Sequence, residues 1–227
     1  MSELNKIALK ILLNGKGILA ADESNGTMTK RLDSVNIESS PETRLLFRET
    51  LFDSESMRDC IGGVILYDET INQTSNLGKT IPSMISETGA IPGIKVDTGA
   101  KDLANSLDEK ITEGLDGLRE RLKKYYELGA RFTKWRGVYN INEKYPSKLA
   151  IHANANALAR YSALVQESGM VPIVEPEVLM DGDHTAEDCL NKTSEVIEKC
   201  FEELIFHKID LKGVILKPNM ILAGNKY

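Results

Sequence analysis

Six short apolar runs recur along the chain, separated by longer stretches with helical spacing, and this alternation restricts the fold more than any other feature. The runs are GILAA (17–21), GGVILY (62–67), IPGIKV (91–96), ARFTKW (130–135), MVPIVE (170–175) and GVILK (213–217). Between them, Ser40-Pro41-Glu42 reads as a helix start: a capping hydroxyl, a proline at the first position and an acid in the first turn. Leu118, Leu122 and Tyr125 share one face of a helix that Gly129 ends. Ala153, Ala157, Leu158, Tyr161, Leu164 and Val165 form a second such face before Gly169. Ile197, Cys200, Phe201, Leu204 and Ile205 form a third before Lys212-Gly213. Leu4, Ile7, Ala8, Ile11 and Leu12 predict a helix at the start of the chain, with Gly15 as its C-terminal cap. Alternating units of this kind predict a parallel sheet, because each crossover helix returns the chain to the same end of the sheet.

Two architectures accommodate such units, a doubly wound open sheet and a closed β/α barrel. Open sheets that bind nucleotides carry GxGxxG or GxxxxGK[ST] loops. Neither occurs, and Gly15-Lys16-Gly17 precedes a run instead of following one. The placement of charge favours the barrel. Asp22 follows the first run, Tyr67-Asp68-Glu69 the second, and Lys95 closes the third. Lys134 and Arg136 close the fourth, Glu175 and Glu177 the fifth, and Lys217 the sixth. A β/α barrel assembles its active site at the C-terminal ends of its strands. Residues two apart share a strand face, so Lys134 with Arg136, and Glu175 with Glu177, are expected to point into one mouth, with Pro176 bending the chain between the glutamates. The expected fold class is α/β: a TIM (β/α)8 barrel of which about the first six strand-helix units are present, residues 1–227 forming a single, incomplete barrel domain.

A net charge of -6 and a pI near 5.3 exclude the basic face that a nucleic-acid partner needs. No apolar run approaches the roughly eighteen residues of a membrane span. Cys60, Cys189 and Cys200 form neither a disulfide framework nor a CxxC pair, and with no cleavable apolar N-terminal segment a cytoplasmic protein is expected.

Lysines and an arginine around one mouth suit a substrate with more than one phosphate. They also suit a nucleophilic lysine. A free lysine, with a pKa of about 10.4, is ~0.04% neutral amine at pH 7, and a shift toward ~7–8 by burial beside other cations raises the reactive fraction by roughly two to three orders of magnitude. Such an amine adds to a ketone and loses water, and the iminium is an electron sink for C–C cleavage. Glu175, one strand away, can remove and return that water, and Asp22 across the mouth can take a hydroxyl proton. The metal-dependent route to the same chemistry needs a histidine cluster. His152 and His207 fall in helical segments and His184 in a loop, so no metal and no other cofactor is expected.

GILAADESNGTM, GGVILYDET, GIKVDTGA, FTKWRGVY, IVEPEVLMDGDH and VILKPNM occur in the order and context of class I fructose-bisphosphate aldolase, and the chain resembles that family over its whole length. The resemblance implies a sugar-phosphate lyase with Lys217 as the Schiff-base lysine and Glu175 as the main proton donor and acceptor. It implies that Asp22 deprotonates the C4 hydroxyl and that Lys134 supports carbinolamine turnover. Arg136, Lys95, Ser24, Arg31 and Arg44 are placed by it along the sugar-phosphate path, and Glu177 neutralises the lysine cluster. A homo-oligomer is expected at full length. The family's barrel has eight strands against the six read here. The serine- and glycine-containing loop and the arginine that hold the C1 phosphate in the family have no counterpart among these residues. A truncated, non-catalytic sugar-phosphate or protein-binding remnant is thus a second reading. Another Schiff-base barrel, such as a transaldolase or deoxyribose-phosphate aldolase, is a third.

Overall fold

The computed structural model describes residues 2–227. The chain opens with α1 (Glu3–Ile11), β1 (Gly17–Ala21), α2 (Asn25–Asp33), α3 (Pro41–Phe52) and the short α4 (Met57–Cys60). It continues through β2 (Ile61–Leu66), α5 (Asp68–Ile71), α6 (Ile81–Glu87) and β3 (Ile91–Lys95). Then come β4 (Ala100–Asp102), β5 (Lys110–Thr112), α7 (Leu118–Glu127) and β6 (Phe132–Tyr139). Last are α8 (Lys148–Glu167), β7 (Val171–Val178), α9 (Ala186–Phe206) and β8 (Ile215–Leu216).

Among the described residues, six strands form one sheet in the order β1-β2-β3-β6-β7-β8, every neighbouring pair parallel. The sheet curls. Strands β1 and β6 are separated by two others, so in a flat sheet they would lie about 14 Å apart at ~4.8 Å per strand. Yet the Asp22 carboxylate beyond β1 reaches the Lys134 ammonium on β6 at 2.5 Å. Six parallel strands in this arrangement are the wall of an open TIM barrel, as the charge pattern predicts.

Two apolar layers hold the wall. On the outer face, Val64, Leu66, Ile94, Trp135 and Val174 pack against Leu118, Leu122, Leu158, Tyr161, Val165, Cys200 and Leu204 of the covering helices. On the inner face, Ile65, Ile91, Phe132, Ile173 and Ile215 meet Ala8 and Ile11 of α1, which plugs the N-terminal end. The plug fits because residue 62 is glycine: a Cβ there would lie 1.8 Å from the Ile11 carbonyl oxygen.

Several boundaries differ from the sequence expectation. α1 ends at Ile11 with Leu12 as its cap, and Gly15 closes a separate 3-10 turn. β6 and β7 run on to Tyr139 and Val178, well past their apolar runs. Pro176 does not bend β7; it stays in register opposite Gly137. Its missing N–H costs nothing there. Residues of its parity turn their backbone toward β8, where the Val174 carbonyl accepts from the Lys217 N–H and the Val178 N–H donates to Asn219 Oδ1. β8 has ended by the level of Pro176.

α9 stops at Phe206, six residues before Lys212, where Lys208 adopts a φ of 57°. Its buried stripe includes Val196, Cys200 and Leu204, while Ile205 on the expected stripe faces solvent. β8 spans only Ile215–Leu216, since 211–213 form a 3-10 turn. The antiparallel ribbon β4-β5 was not expected from the sequence.

Candidate active site

The inner face of the sheet changes character once along its length. Ile18 and Ala20 lead to Asp22, Ile91 and Gly93 to Lys95, Phe132 to Lys134, Val171 and Ile173 to Glu175, and Ile215 to Lys217. Each charged residue stands two positions beyond an inward residue of the apolar floor, and therefore points the same way. The floor is sealed at Gly93, where any Cβ would lie 2.4 Å from the Phe132 ring. Outward neighbours fix the orientation. Thr133 shares a 2.6 Å hydrogen bond with the Tyr161 hydroxyl, which also donates to the Ile173 carbonyl at 3.2 Å. Trp135 packs on the Tyr161 ring with centroids 5.3 Å apart. With 133 and 135 held by α8, Lys134 has only the lumen to enter.

Four of these residues touch in series. Lys134 Nζ lies 2.5 Å from Asp22 Oδ2 and 3.3 Å from Glu175 Oε2, and Lys217 Nζ donates to Glu175 Oε1. Glu175 is buried and bridges two ammonium groups. Burial works against the Lys134 charge, but the carboxylates of Asp22 and Glu175 outweigh it and hold this ammonium above the usual lysine value. Lys217 is less enclosed than Lys134. Its side chain is 45% exposed, and its charged contact is a carboxylate rather than a ring of cations. It lies just beyond β8, on the side of the described sheet that has no further strand.

A second tier lies one step further out. Arg136 Nε donates to Glu177 across the neighbouring strands β6 and β7. Lys95 Nζ is 3.4 Å from Asp97 Oδ1. Asp97 is a site residue that the sequence reading missed, although its spacing from Lys95 repeats the two-residue rule. Burial pushes its carboxyl above the usual range, with Lys95 and Lys134 pulling the other way.

Ser24, Arg31 and Arg44 lie beside the end of β1, each already engaged. Ser24 Oγ caps α2 by accepting from the Thr27 N–H at 3.3 Å. Arg31 pairs with Glu23 at 2.5 Å. Arg44 grips Glu69 through Nε at 2.8 Å and Nη2 at 2.6 Å, while Nη1 donates to Ser39. A substrate phosphate reaching Arg44 would have to displace these partners. A second missed residue, Arg48, lies wholly buried beneath them on α3. Nothing in the local sequence marks it.

Among the described residues, no group of three or more His, Cys, Asp or Glu side chains is arranged to hold a metal ion. His152 lies in α8, His207 caps α9 and His184 precedes α9. No described helix is long and apolar enough to cross a membrane.

The sequence matches the family described as "Fructose-bisphosphate aldolase class-I" over residues 3–227. It is 50% identical to cytosolic fructose-bisphosphate aldolase 6 of Arabidopsis thaliana, covering 93% of this chain and 59% of that protein. It is 49% identical to fructose-bisphosphate aldolase C of Carassius auratus, covering 98% of this chain and 62% of the relative. Among solved structures, it superposes on Plasmodium falciparum fructose-bisphosphate aldolase, crystallised with TRAP and a small-molecule inhibitor. The TM-score is 0.96 at 43% identity, covering 99% of this chain and 65% of the other. The chain thus spans about three fifths of the length of the relatives it matches. By sequence over nearly all its residues and by the course of its backbone, the chain belongs to the class-I fructose-bisphosphate aldolase family.

Proposed function

We propose that the protein is a lyase of glycolysis and gluconeogenesis that cleaves fructose 1,6-bisphosphate to dihydroxyacetone phosphate and glyceraldehyde 3-phosphate. The observation that supports this most is the Asp22–Lys134–Glu175–Lys217 series, a buried carboxylate between two ammonium groups with a second carboxylate beyond. Lys217 Nζ, once deprotonated, adds to the C2 carbonyl. Glu175, in contact with that nitrogen, protonates the departing hydroxyl, and water leaves to give the iminium. Lys134 keeps Glu175 and Asp22 in place and stabilises negative charge during carbinolamine turnover. Asp22 takes the C4 hydroxyl proton, the C3–C4 bond breaks, and its electron pair moves into the iminium to leave an enamine. Protonation at C3 and hydrolysis return the amine.

Arg136 and Lys95, with Ser24, Arg31 and Arg44 further out, bind the sugar phosphate, whose oxygens replace Glu177 on Arg136 and Glu23 on Arg31. Residues 1–227 form a single, incomplete barrel domain, which at full length belongs to a cytoplasmic homo-oligomer that needs no metal or other cofactor.

Borohydride trapping tests this directly. Native protein mixed with dihydroxyacetone phosphate and borohydride should gain the triose-phosphate mass on the peptide containing Lys217, with chelator making no difference. Label on Lys134 or Lys95 would refute the assignment. Binding of fructose bisphosphate without any trapping would favour the non-catalytic sugar-phosphate-binding reading.

A further inference from the structure

Among the described residues Arg48 is the one wholly buried arginine, and the chemistry proposed above leaves it without a task. It stands one helical turn beyond Arg44 on the same face of α3. Arg44 spends itself on side chains, fixing α3 to α5 through Glu69. Arg48 reaches deeper. Its Nη1 donates to the buried Thr70 hydroxyl at 2.5 Å, and its Nη2 donates to the backbone carbonyl of Glu23 at 2.6 Å. The Glu23 carboxylate is 3.8 Å away, and the buried Nε finds no acceptor.

A guanidinium taken out of water without a bidentate carboxylate is costly, so mere fastening of α3 would be served as well by an apolar side chain. What an apolar side chain cannot do is hold the Glu23 carbonyl. That carbonyl belongs to the residue after Asp22, in the two-residue connection between the last strand pairing of β1, Ala21 to Leu66, and the Ser24 cap of α2. Rotation of this connection would swing the Asp22 carboxylate away from Lys134. The geometry points to Arg48 as a positioning residue for Asp22: by clamping the Glu23 carbonyl against Thr70, it sets the direction from which Asp22 removes the C4 hydroxyl proton. This inference rests on the aldolase reading above and goes beyond it, since Arg48 touches neither substrate nor Lys217.

Arg48→Met and the milder Thr70→Val, made in the full-length native protein, separate positioning from packing. Because Met replaces a buried charge, its thermal midpoint should stay near or above that of the parent, while kcat for fructose bisphosphate falls about 10–100-fold with KM changed less than about threefold, the scale of a misplaced group. Thr70→Val should move kcat in the same direction by a smaller factor. Borohydride quenching during turnover gives the decisive readout. Arg48→Met should accumulate the hexose-phosphate adduct on Lys217, because imine formation survives and C–C cleavage lags, while trapping of dihydroxyacetone phosphate matches the parent. An unchanged adduct ratio with unchanged kcat overturns the proposal. So does a parallel loss of dihydroxyacetone phosphate trapping, which would mean the whole site had been disturbed. If Arg48→Met does not fold, an unchanged kcat and adduct ratio in Thr70→Val overturns it. A parent protein that forms no imine at all would instead sink the aldolase reading, and this inference with it.

Discussion

Replacing Asp22 by asparagine keeps the shape of the side chain and removes one negative charge from a buried site, so its cost can be worked from the geometry. At 2.5 Å the pair of Asp22 and Lys134 has a gross attraction of about 6–7 kcal/mol at an effective dielectric of ~20. Most of that is not net stability. The variant recovers the penalty of burying the Asp22 charge, several kcal/mol, and the introduced amide still offers an oxygen to the ammonium. Lys134 also keeps Glu175 at 3.3 Å.

The expected loss is therefore about 1–3 kcal/mol, below the ~3–5 kcal/mol of a buried pair whose surviving ion has no second partner. In urea this should lower the midpoint by about 0.5–1 M at pH 7. The pH dependence has a definite sign. Folding holds Lys134 above its ordinary value, so this stabilisation is complete at neutral pH and is lost as pH rises through the raised folded value. The gap between parent and variant should thus persist from pH 7 to 9 and narrow above pH ~10.5. In activity assays, the variant should form the imine with dihydroxyacetone phosphate and stall at C–C cleavage. An unchanged urea midpoint at pH 7, or complete loss of trapping with dihydroxyacetone phosphate, would refute the reasoning.

Glu175→Gln removes the proton transfer but not the shape, so kcat should fall by roughly 10²–10⁴ with a smaller change in KM, measured by steady-state kinetics. Asp97→Asn should raise stability at pH 7 but not at pH 3.5. Burial holds this carboxyl above its unfolded value, so stability falls as pH rises from the unfolded value through the folded one, and urea midpoints at the two pH values check the sign. Gly62→Ala must push the α1 backbone aside, because its Cβ would sit 1.8 Å from the Ile11 carbonyl oxygen; a loss of at least about 2 kcal/mol is expected, read by thermal unfolding. A polypeptide of residues 1–227 assayed alone presents the outer edges of β1 and β8 unpaired, so it should self-associate in sedimentation experiments and cleave little substrate.

The chain's periodicities determined the parallel β/α plan and most of its site. Apolar runs of strand length and helical stripes are local properties, and the two-residue repeat assigns each side chain to a face without knowledge of any neighbour. That is why Lys95, Lys134, Glu175 and Lys217 could be placed at one mouth from spacing alone. Tertiary structure decided which of those charges meet. Asp22 and Lys134 belong to strands that are not neighbours, and only the curl of the sheet closes the distance between them. The outer ends of β6 and β7 pass through Gly137 and Pro176, residues that interrupt a strand reading. They are strands because each supplies the other's hydrogen bonds from Phe132 opposite Val171 to Tyr139 opposite Val178. Lys217 meets Glu175 because β7 and β8 are neighbours, a fact of topology that no local pattern records. Arg48 is the plainest case. Nothing in its neighbours distinguishes it from a surface arginine one turn along a helix, and only the packing of α3 against the end of β1 turns it inward onto the Glu23 carbonyl.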